Sequence, residues 1–319
     1  MAAVEVQITR TMKRKQLILG TRGSRLALWQ ANFIKEQMEE EYGDIAIRIQ
    51  VIKTTGDKIS QEPLADIGGK GLFLKEIEEA LLAEKVDIGV HSMKDVPYDL
   101  PHGLKIGAIL KREDARDVFI SEKYTSLFNL PKHARIGTSS VRRQSQLKNF
   151  RPDFEIVPLR GNVETRLKKL NVTKLSGIIL ASAGMKRLGF IQKISEYLAP
   201  SLMLPAVGQG AIGLEVRQGD ERVQKLIGFL NDEKTAYELT AEREFSKVLG
   251  GDCKTPIAAF AEVDDDRLKI TGMVASLDGR ELIRDQMEGT VREAALLGTN
   301  LGKVLLGQGA RKILRGHEI

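Results

Sequence analysis

Residues 90–97 (VHSMKDVP) place a lysine and an aspartate, Lys94 and Asp95, at the end of a short apolar strand. Ligands of open α/β sheets bind beyond the carboxyl ends of the strands, so this pair stands where a site is expected. Asp95 suits general acid or base chemistry, or stabilisation of a cation that forms during a reaction. A salt-bridged turn or a helix cap explains the same pair equally well. His91, on the strand itself, is better explained as a core histidine than as a base.

Positive side chains gather in the turns that follow predicted strands. Arginine presents a planar fork of donors that matches carboxylate or phosphate. A solvated basic surface is the alternative, but Gly- and Ser-rich turns after strands favour binding of an anionic ligand. The set comprises Arg22, Arg25, Lys70, Lys94, Arg142, Arg143, Arg160, Arg166, Lys186 and Arg187.

Two of these turns have similar sequences, 20–25 (GTRGSR) and 137–142 (GTSSVR). Each follows a predicted strand and opens a predicted helix, where free backbone N–H groups suit an anion. Plain N-capping by Ser and Thr is the alternative. Arginine at the same position in both turns, Arg25 and Arg142, favours anion binding and two lobes of similar design.

Strands alternate with helices over the first 200 residues, which predicts an α/β fold in two lobes. Beyond them, a helix, three strands with an Asp-Gly hairpin turn, and further helices predict a small α+β unit. The predicted strands are 16–20, 45–53, 86–91, 118–121, 135–137, 155–157, 177–181, 256–263, 268–276 and 281–288. The predicted helices are 26–42, 72–85, 141–149, 163–170, 235–248 and, in part, 291–314.

Composition excludes several classes of protein. The 319 residues predict two or three domains, and 49 basic against 43 acidic residues give a net charge of +6, which suggests an anionic partner. No apolar run approaches the roughly 18 to 20 residues that span a bilayer, and residues 1–15 lack the apolar core of a signal peptide. These features predict a cytoplasmic protein without membrane contact.

Cysteine, histidine and glycine patterns exclude further chemistry. The single cysteine, Cys253, rules out an internal disulfide and any Cys-rich metal site, and the four histidines lack zinc-ligand spacing. Residues 68–71 (GGKG) are not a Walker A loop, and there is no nucleophile elbow. Aromatic residues at 5% supply few stacking surfaces for nucleic acid. We therefore expect no metal and no nucleic-acid partner.

Eight motifs together resemble the hydroxymethylbilane synthase family, also called porphobilinogen deaminase. The resemblance is collinear from about residue 17 to residue 314. The motifs are 21–24 (TRGS), 26–30 (LALWQ), 68–73 (GGKGLF), 91–97 (HSMKDVP), 137–143 (GTSSVRR), 159–162 (LRGN), 204–211 (LPAVGQGA) and 253–257 (CKTPI).

The resemblance implies two periplasmic-binding-protein-like lobes with mixed sheets and a small C-terminal α+β domain. It implies a discontinuous first lobe (15–110 plus 211–228), a second lobe (116–204) and a C-terminal domain (233–319). It also implies a reaction in which four porphobilinogen molecules condense head to tail with loss of ammonia, followed by hydrolytic release of linear hydroxymethylbilane in tetrapyrrole biosynthesis. A dipyrromethane cofactor joined to Cys253 by a thioether completes the expectation.

By resemblance, Asp95 is the catalytic carboxylate, placed to stabilise the electron-poor azafulvenium that remains when porphobilinogen loses ammonia. Each pyrrole carries acetate and propionate groups, so the growing oligopyrrole chain needs many fixed cations. Lys70 resembles a residue of the family's active-site lid. The implied cofactor contacts are Lys94, Thr138, Ser139, Arg142 and Arg143. The implied substrate and chain contacts are Arg22, Ser24, Gln30, Arg160, Arg166 and Arg187.

The cysteine loop departs from the family, because Asp252 stands where many members have glycine before the cysteine. A carboxylate there raises a thiol pKa by repelling the thiolate, unless it faces solvent. The resemblance further implies a monomer that passes its product to uroporphyrinogen III synthase. The residues alone leave two other functions open: a non-catalytic two-lobe protein that binds an anion, and a nucleic-acid binder supported only by the basic charge.

Overall fold

Three β-sheets organise the protein in this computed structural model, which describes residues 16–58, 73–251 and 255–315. Two sheets have five strands and mix parallel with antiparallel neighbours, whereas the third has three antiparallel strands. Helices pack against all three. The structure therefore has two mixed α/β lobes and a C-terminal α+β domain, which confirms the predicted fold class.

The first lobe comprises β1 (Gln16–Thr21), α1 (Arg25–Glu41), β2 (Ala46–Val51), α2 (Thr55–Lys58), α3 (Lys75–Leu82), β3 (Ile88–Ser92), β4 (Leu104–Ile109), β10 (Ile212–Arg217) and α7 (Glu221–Ile227). Its strand order is β2-β1-β3-β10-β4. β1 is parallel to β2 and β3, whereas β10 is antiparallel to both β3 and β4. The chain thus leaves this lobe, builds the second, and returns to insert β10 beside β3.

The second lobe comprises β5 (Asp117–Ile120), β6 (Arg135–Gly137), α4 (Val141–Phe150), β7 (Glu155–Val157), α5 (Val163–Val172), β8 (Gly177–Ala181), α6 (Ser182–Arg187) and β9 (Glu196–Tyr197). Its strand order is β7-β6-β8-β5-β9. Phe119, Phe154 and Ile136 are fully buried in its core. The turns before α4, α5 and α6 follow β6, β7 and β8, so their side chains meet at one edge of the sheet.

The C-terminal domain comprises α8 (Glu233–Val248), β11 (Ile257–Asp264), β12 (Arg267–Ala275), β13 (Leu282–Thr290), α9 (Ala294–Gly307) and α10 (Ala310–Arg315). α8 and α9 pack closely, since a Cβ on Gly298 would lie 2.0 Å from the Ala241 carbonyl oxygen. Phe245 and Leu301 are fully buried against the sheet. Within the described ranges, no helix combines the length and apolar character that a bilayer span requires.

Helix α8 holds both chain segments that connect the two lobes. Glu242, fully buried, accepts hydrogen bonds from the Arg112 guanidinium (2.6 Å), the Gly208 amide (2.7 Å) and the Ala261 amide (2.9 Å). Arg112 also donates to the Gln209 carbonyl (2.8 Å). A buried carboxylate requires such partners. The C-terminal domain is therefore fastened to the hinge region between the lobes.

Candidate active site

Strand β3 brings Ser92, Lys94 and Asp95 to the cleft between the lobes. A single 3₁₀ turn, Met93–Asp95, follows the strand. The Met93 amide donates to the Ala211 carbonyl (3.0 Å), and the Val96 amide donates to the Met93 carbonyl (3.1 Å). This tight turn sends the two charged side chains apart, so that Lys94 lines one cavity and Asp95 lines another. The two cavities adjoin, because Leu26 and Ser92 line both.

Four cations line the cavity of Lys94, which we call the cationic cavity. Lys94 comes from the first lobe, whereas Arg143, Arg166 and Arg187 come from α4, α5 and α6 of the second. The cavity encloses about 80 Å³. No acidic residue is among the described residues that line it. The two lobes together therefore form a site for a ligand with several negative charges.

Restricted hydration and mutual repulsion characterise these cations. Lys94 has exposed surface in the cleft, yet the surrounding protein limits hydration of its ammonium and lowers its pKa to about 8. Arg143 and Arg166 add to that shift, while Asp95 opposes it. Burial lowers the pKa of both Arg166 and Arg187 to about 10. A bound carboxylate would offset this repulsion and loss of hydration, since an opposite charge favours the protonated form of each group.

Asp117 at the start of β5 orients two neighbouring arginines. Its fully buried carboxylate accepts from Arg142 Nη2 (2.6 Å), Arg143 Nη2 (2.8 Å) and Gln209 Nε2 (2.9 Å). Arg142 also donates to the Leu204 carbonyl, and Arg143 to the Ile179 carbonyl (3.0 Å). The buried Nε of Arg143 has no hydrogen-bond partner among the described residues. Arg143 thus faces the cationic cavity with donor capacity, whereas Arg142 directs its two terminal nitrogens to the Leu204 carbonyl and to Asp117.

The second cavity, which we call the Asp95 cavity, encloses about 70 Å³. Asp95 is the only carboxylate among the described residues that line it, and Arg22, Ser24 and Gln30 come from the first βα turn and α1. The Arg22 guanidinium lies 4.0 Å from the ring centroid of Phe73, a cation–π distance. Gln30 Nε2 donates to the Ser92 hydroxyl (2.9 Å) and thereby joins α1 to the end of β3.

A buried acidic cluster lies behind this cavity. His91 Nε2 lies 2.9 Å from Glu215 Oε2, and both side chains are almost fully buried. Gly89 leaves room for the imidazole, since a Cβ there would lie 2.7 Å from His91 Nε2. Glu78 of α3 completes the cluster. Burial, with the nearby charge of Glu215, raises the pKa of Glu78 to about 7, while His91 opposes the shift.

Glu78→Gln is expected to change how stability depends on pH. Folding raises the pKa of Glu78 from 4.5 to about 7, so the native state binds a proton more tightly than the unfolded chain. That carboxyl therefore costs stability progressively as pH rises from about 4.5 to 7. We expect Glu78→Gln to match the wild type at pH 4.5 and to be more stable at pH 8 by about 3 kcal/mol.

Urea unfolding of both proteins across this pH range measures the difference in free energy. Glu79→Gln is the matched control, because Glu79 lies on the same helix with an exposed side chain beside Lys75. A pH-independent difference between Glu78→Gln and the wild type would contradict the assignment.

The two similar turns before α1 and α4 are N-caps, as the simpler interpretation has it. The Ser24 hydroxyl accepts from the Ala27 amide, and the Ser140 hydroxyl from the Arg143 amide. The matching arginines have different surroundings: Arg25 is exposed and pairs with Glu164 across the lobes (3.2 Å), whereas Arg142 is buried on Asp117. Neither arginine lines the two cavities described above, so a shared anion-binding role for the two positions stays a prediction.

The structure brings eight of the sequence-predicted site residues together at the two cavities. Lys94, Arg143, Arg166 and Arg187 line the cationic cavity, while Arg22, Ser24, Gln30 and Asp95 line the Asp95 cavity. Four others do not line either cavity: Thr138, Ser139, Arg142 and Arg160. Lys70, Asp252 and Cys253 lie outside the described residues.

The hydroxyls of Thr138 and Ser139, in the turn before α4, accept hydrogen bonds from backbone amides. Thr138 Oγ1 accepts from the Ser140 amide (3.2 Å), and Ser139 Oγ accepts from the Leu159 amide (2.9 Å). Thr138 is buried and Ser139 is exposed. Each hydroxyl retains a proton that can be donated to a ligand.

Sequence reasoning missed several residues that shape the site. Gln209 and Phe73 belong to the motifs 204–211 and 68–73, but neither motif indicates the role of these side chains. Asp117 had one usable signal, since it is an acid directly before the apolar strand predicted over 118–121, and the structure includes it in β5. Glu78 and Glu215 lie on an amphipathic helix and a strand, where acids usually face solvent.

Family models and curated relatives match this chain along nearly its whole length. The model described as "Porphobilinogen deaminase, dipyromethane cofactor binding domain" matches residues 17–225, and "Porphobilinogen deaminase, C-terminal domain" matches residues 236–307. The porphobilinogen deaminase of Geotalea uraniireducens is 50% identical over 95% of both chains. That of Syntrophus aciditrophicus is 51% identical over 94% of this chain and 98% of its own.

The comparison with solved structures includes a match to a putative methionine-binding lipoprotein from Bacillus subtilis. It is 13% identical, with a TM-score of 0.43, and the match covers 69% of this chain and 92% of that one. The family rests instead on the two models and on half-identity to curated relatives over nearly the full length. The chain belongs to the porphobilinogen deaminase (hydroxymethylbilane synthase) family, the transferases that condense porphobilinogen in tetrapyrrole biosynthesis.

Proposed function

We propose that the two adjoining cavities have different roles in the reaction of this transferase. The cationic cavity holds the carboxylates of pyrrole rings, and the Asp95 cavity supplies the single carboxylate beside which substrate loses ammonia. One observation carries the proposal: Lys94 and Asp95 leave the same 3₁₀ turn into two cavities, one lined by four cations and the other by one acid.

The residues of the cationic cavity fit a dipyrromethane cofactor. Its acetate and propionate groups match Lys94, Arg143, Arg166 and Arg187 in charge and number of donors. The buried and unpartnered Arg143 Nε and the lowered pKa of Lys94 both indicate groups that gain from a bound anion. When bound, the cofactor supplies the pyrrole terminus onto which substrate units are joined. We propose that Cys253 anchors it by a thioether, and that Thr138, Ser139 and Arg142 also contact it.

Arginines in and near the two cavities would bind the substrate and the growing oligopyrrole chain. Arg22, held over Phe73, and Ser24 with Gln30 would grip the carboxylates of porphobilinogen in the Asp95 cavity. Arg160, Arg166 and Arg187 would receive pyrroles already joined, and Lys70 would cover the site. Such fixed cations reduce the entropic cost of orienting each new unit.

Asp95 acts on the charge that appears when ammonia leaves. Departure of the protonated amine of porphobilinogen as ammonia leaves an azafulvenium cation. A carboxylate fixed beside the pyrrole N–H stabilises that cation, because it is already oriented before the charge develops. The pyrrole carbon that then forms the new bond loses its proton, and Asp95 is the base that the described lining offers.

Intact-protein mass tests the cofactor and its anchor. The wild type should exceed its sequence mass by two linked pyrrole units, and Cys253→Ser should show its own sequence mass and release no ammonia from porphobilinogen. An active wild type with no added mass would contradict the covalent cofactor. Binding of porphobilinogen without ammonia release by wild type would instead favour the non-catalytic binding protein.

We further propose that the protein is a cytoplasmic monomer whose linear product passes to uroporphyrinogen III synthase. The chain has a net charge of +6, and four of its cations line the cationic cavity in the cleft, which supports small anionic ligands as partners. Sedimentation at working concentration checks the monomer.

A further inference from the structure

Arg243 of α8 reaches from the C-terminal domain to the segment that directly follows Asp95. Its guanidinium donates to three successive backbone carbonyls, those of Val96 (3.2 Å), Pro97 (2.8 Å) and Tyr98 (3.3 Å). These residues have left the 3₁₀ turn, and their carbonyls have no place in the sheet of the first lobe. The planar fork of arginine allows one side chain to satisfy several acceptors at once.

Arg243 is largely enclosed by the protein, and among the described residues its guanidinium forms no salt bridge with a carboxylate. Burial lowers the pKa of its guanidinium, and the charges of Glu244 and Asp99 only partly oppose that shift. A cation that loses hydration is retained where its donors are used. Here they are used on three carbonyls of one short segment.

Leu239 contacts the same region from one turn earlier on α8. It is fully buried in a cluster with Met93 and Val96, the residues on either side of the Lys94–Asp95 pair. Positions four apart share one face of a helix, so Leu239 and Arg243 form a continuous contact with the turn. α8 therefore packs on the turn with an apolar side chain and fixes the segment after it with a cation.

Backbone hydrogen bonds also hold this turn. Its front is fixed by the bonds of the Met93 and Val96 amides described above. The helix that contains Arg243 also contains Glu242, which is anchored on the hinge between the lobes. The place of Asp95 relative to the cations of the second lobe thus depends on α8 as well as on β3.

We propose that Arg243 is a positioning residue for Asp95, and that the domain bearing the cofactor cysteine sets the place of the catalytic turn through it. The inference rests on the proposed role of Asp95. Arg243 does not line either cavity, so it acts through the turn and not on the substrate.

The chain offers a matched control in Arg284 of β13. Its guanidinium also bridges domains through backbone carbonyls, those of Ser201 (2.7 Å) and Pro200 (3.1 Å) in the second lobe. Burial lowers its pKa as well. Arg284→Met therefore removes a carbonyl clamp of the same kind at a place remote in sequence from the catalytic turn.

The experiment compares Arg243→Met, Arg243→Lys and Arg284→Met with the wild type, each as purified with its cofactor loading measured by intact mass. Amide exchange of a peptide covering residues 92–99 should rise in Arg243→Met and stay at the wild-type level in Arg284→Met. Per loaded enzyme, Arg243→Met should lower kcat for porphobilinogen by about 10- to 100-fold with KM changed less than about threefold. Arg243→Lys should recover part of kcat, since an ammonium donates to some of the carbonyls.

Three results would overturn the inference: unchanged exchange over residues 92–99 in Arg243→Met, raised exchange with unchanged kcat, or equal losses of kcat in Arg243→Met and Arg284→Met. Failure of the proposed function is distinguished by the wild type. If the loaded wild type releases no ammonia from porphobilinogen, or if Asp95→Asn retains full kcat, then the role of Asp95 fails. The exchange measurement still reports whether Arg243 holds the turn.

Discussion

Asp95→Asn is expected to lower kcat for porphobilinogen by about 10²- to 10⁴-fold. Asparagine keeps the shape of the side chain and removes the negative charge that we propose stabilises the cation left by ammonia. The cations proposed to hold substrate carboxylates lie on other elements, so KM should change much less than kcat. Ammonia release, measured per loaded enzyme, gives both constants.

Binding in this variant can be followed separately through Trp29, the only tryptophan. The Arg187 guanidinium lies 5.7 Å from the Trp29 ring centroid, so a ligand that recruits Arg187 should change the fluorescence. Asp95→Asn should retain that change. Asp99→Asn, an exposed carboxylate four residues later, is the control and should retain kcat. A similar kcat for Asp95→Asn and wild type would remove Asp95 from the mechanism.

The sequence contained enough to predict the sheets and the turns that carry the site. Short apolar runs predicted β3 and β8, because buried strands need consecutive apolar residues. The three-residue strands β6 and β7 were predicted from their place in the alternation of strands and helices. Helix ends were harder to place. The helix predicted over 72–85 ends at Leu82 in the structure, and Glu84 has the left-handed φ of 54°, which apolar periodicity does not indicate.

Residues that hold others in place were the least predictable. Lys94 and Asp95 stand at the end of a strand, so local sequence identifies them as candidates. Asp117 meets Arg142 across 25 residues, and Glu215 meets His91 across 124. Those partners are set by how the strands associate. Nothing in one local window shows that Arg142 is turned inward while Arg143, next to it, reaches the cleft.

Asp117→Asn should be the most destabilising of these substitutions. The carboxylate pairs with both buried guanidiniums, those of Arg142 and Arg143, and removing the only negative member of this triad leaves two buried positive charges side by side. We expect a loss of about 3 to 5 kcal/mol in the free energy of unfolding at pH 7. The carboxamide also presents N–H groups where guanidinium and Gln209 donors converge. Arg143 would lose its orientation, so cofactor loading should fall with stability.

The pH dependence of this loss identifies its cause. Burial alone would raise the pKa of Asp117, but the charges and hydrogen bonds of Arg142 and Arg143 outweigh it and hold the pKa well below its usual range. The carboxylate therefore stabilises the fold fully above the unfolded pKa of 3.8 and progressively less as pH falls below it. Denaturant unfolding should show a wide gap between wild type and Asp117→Asn at pH 7 that narrows below about pH 4.

Asp153→Asn provides the comparison for this measurement, because its carboxylate pairs with Arg151 near the surface of the same lobe. A surface pair contributes little, so the midpoint of unfolding should change only slightly. Asp117→Asn and Asp153→Asn with equal midpoints at pH 7 would mean that Arg142 and Arg143 do not depend on Asp117. In that event the orientation of Arg143 toward the cationic cavity would have to come from the Ile179 carbonyl and the packing of α4 alone.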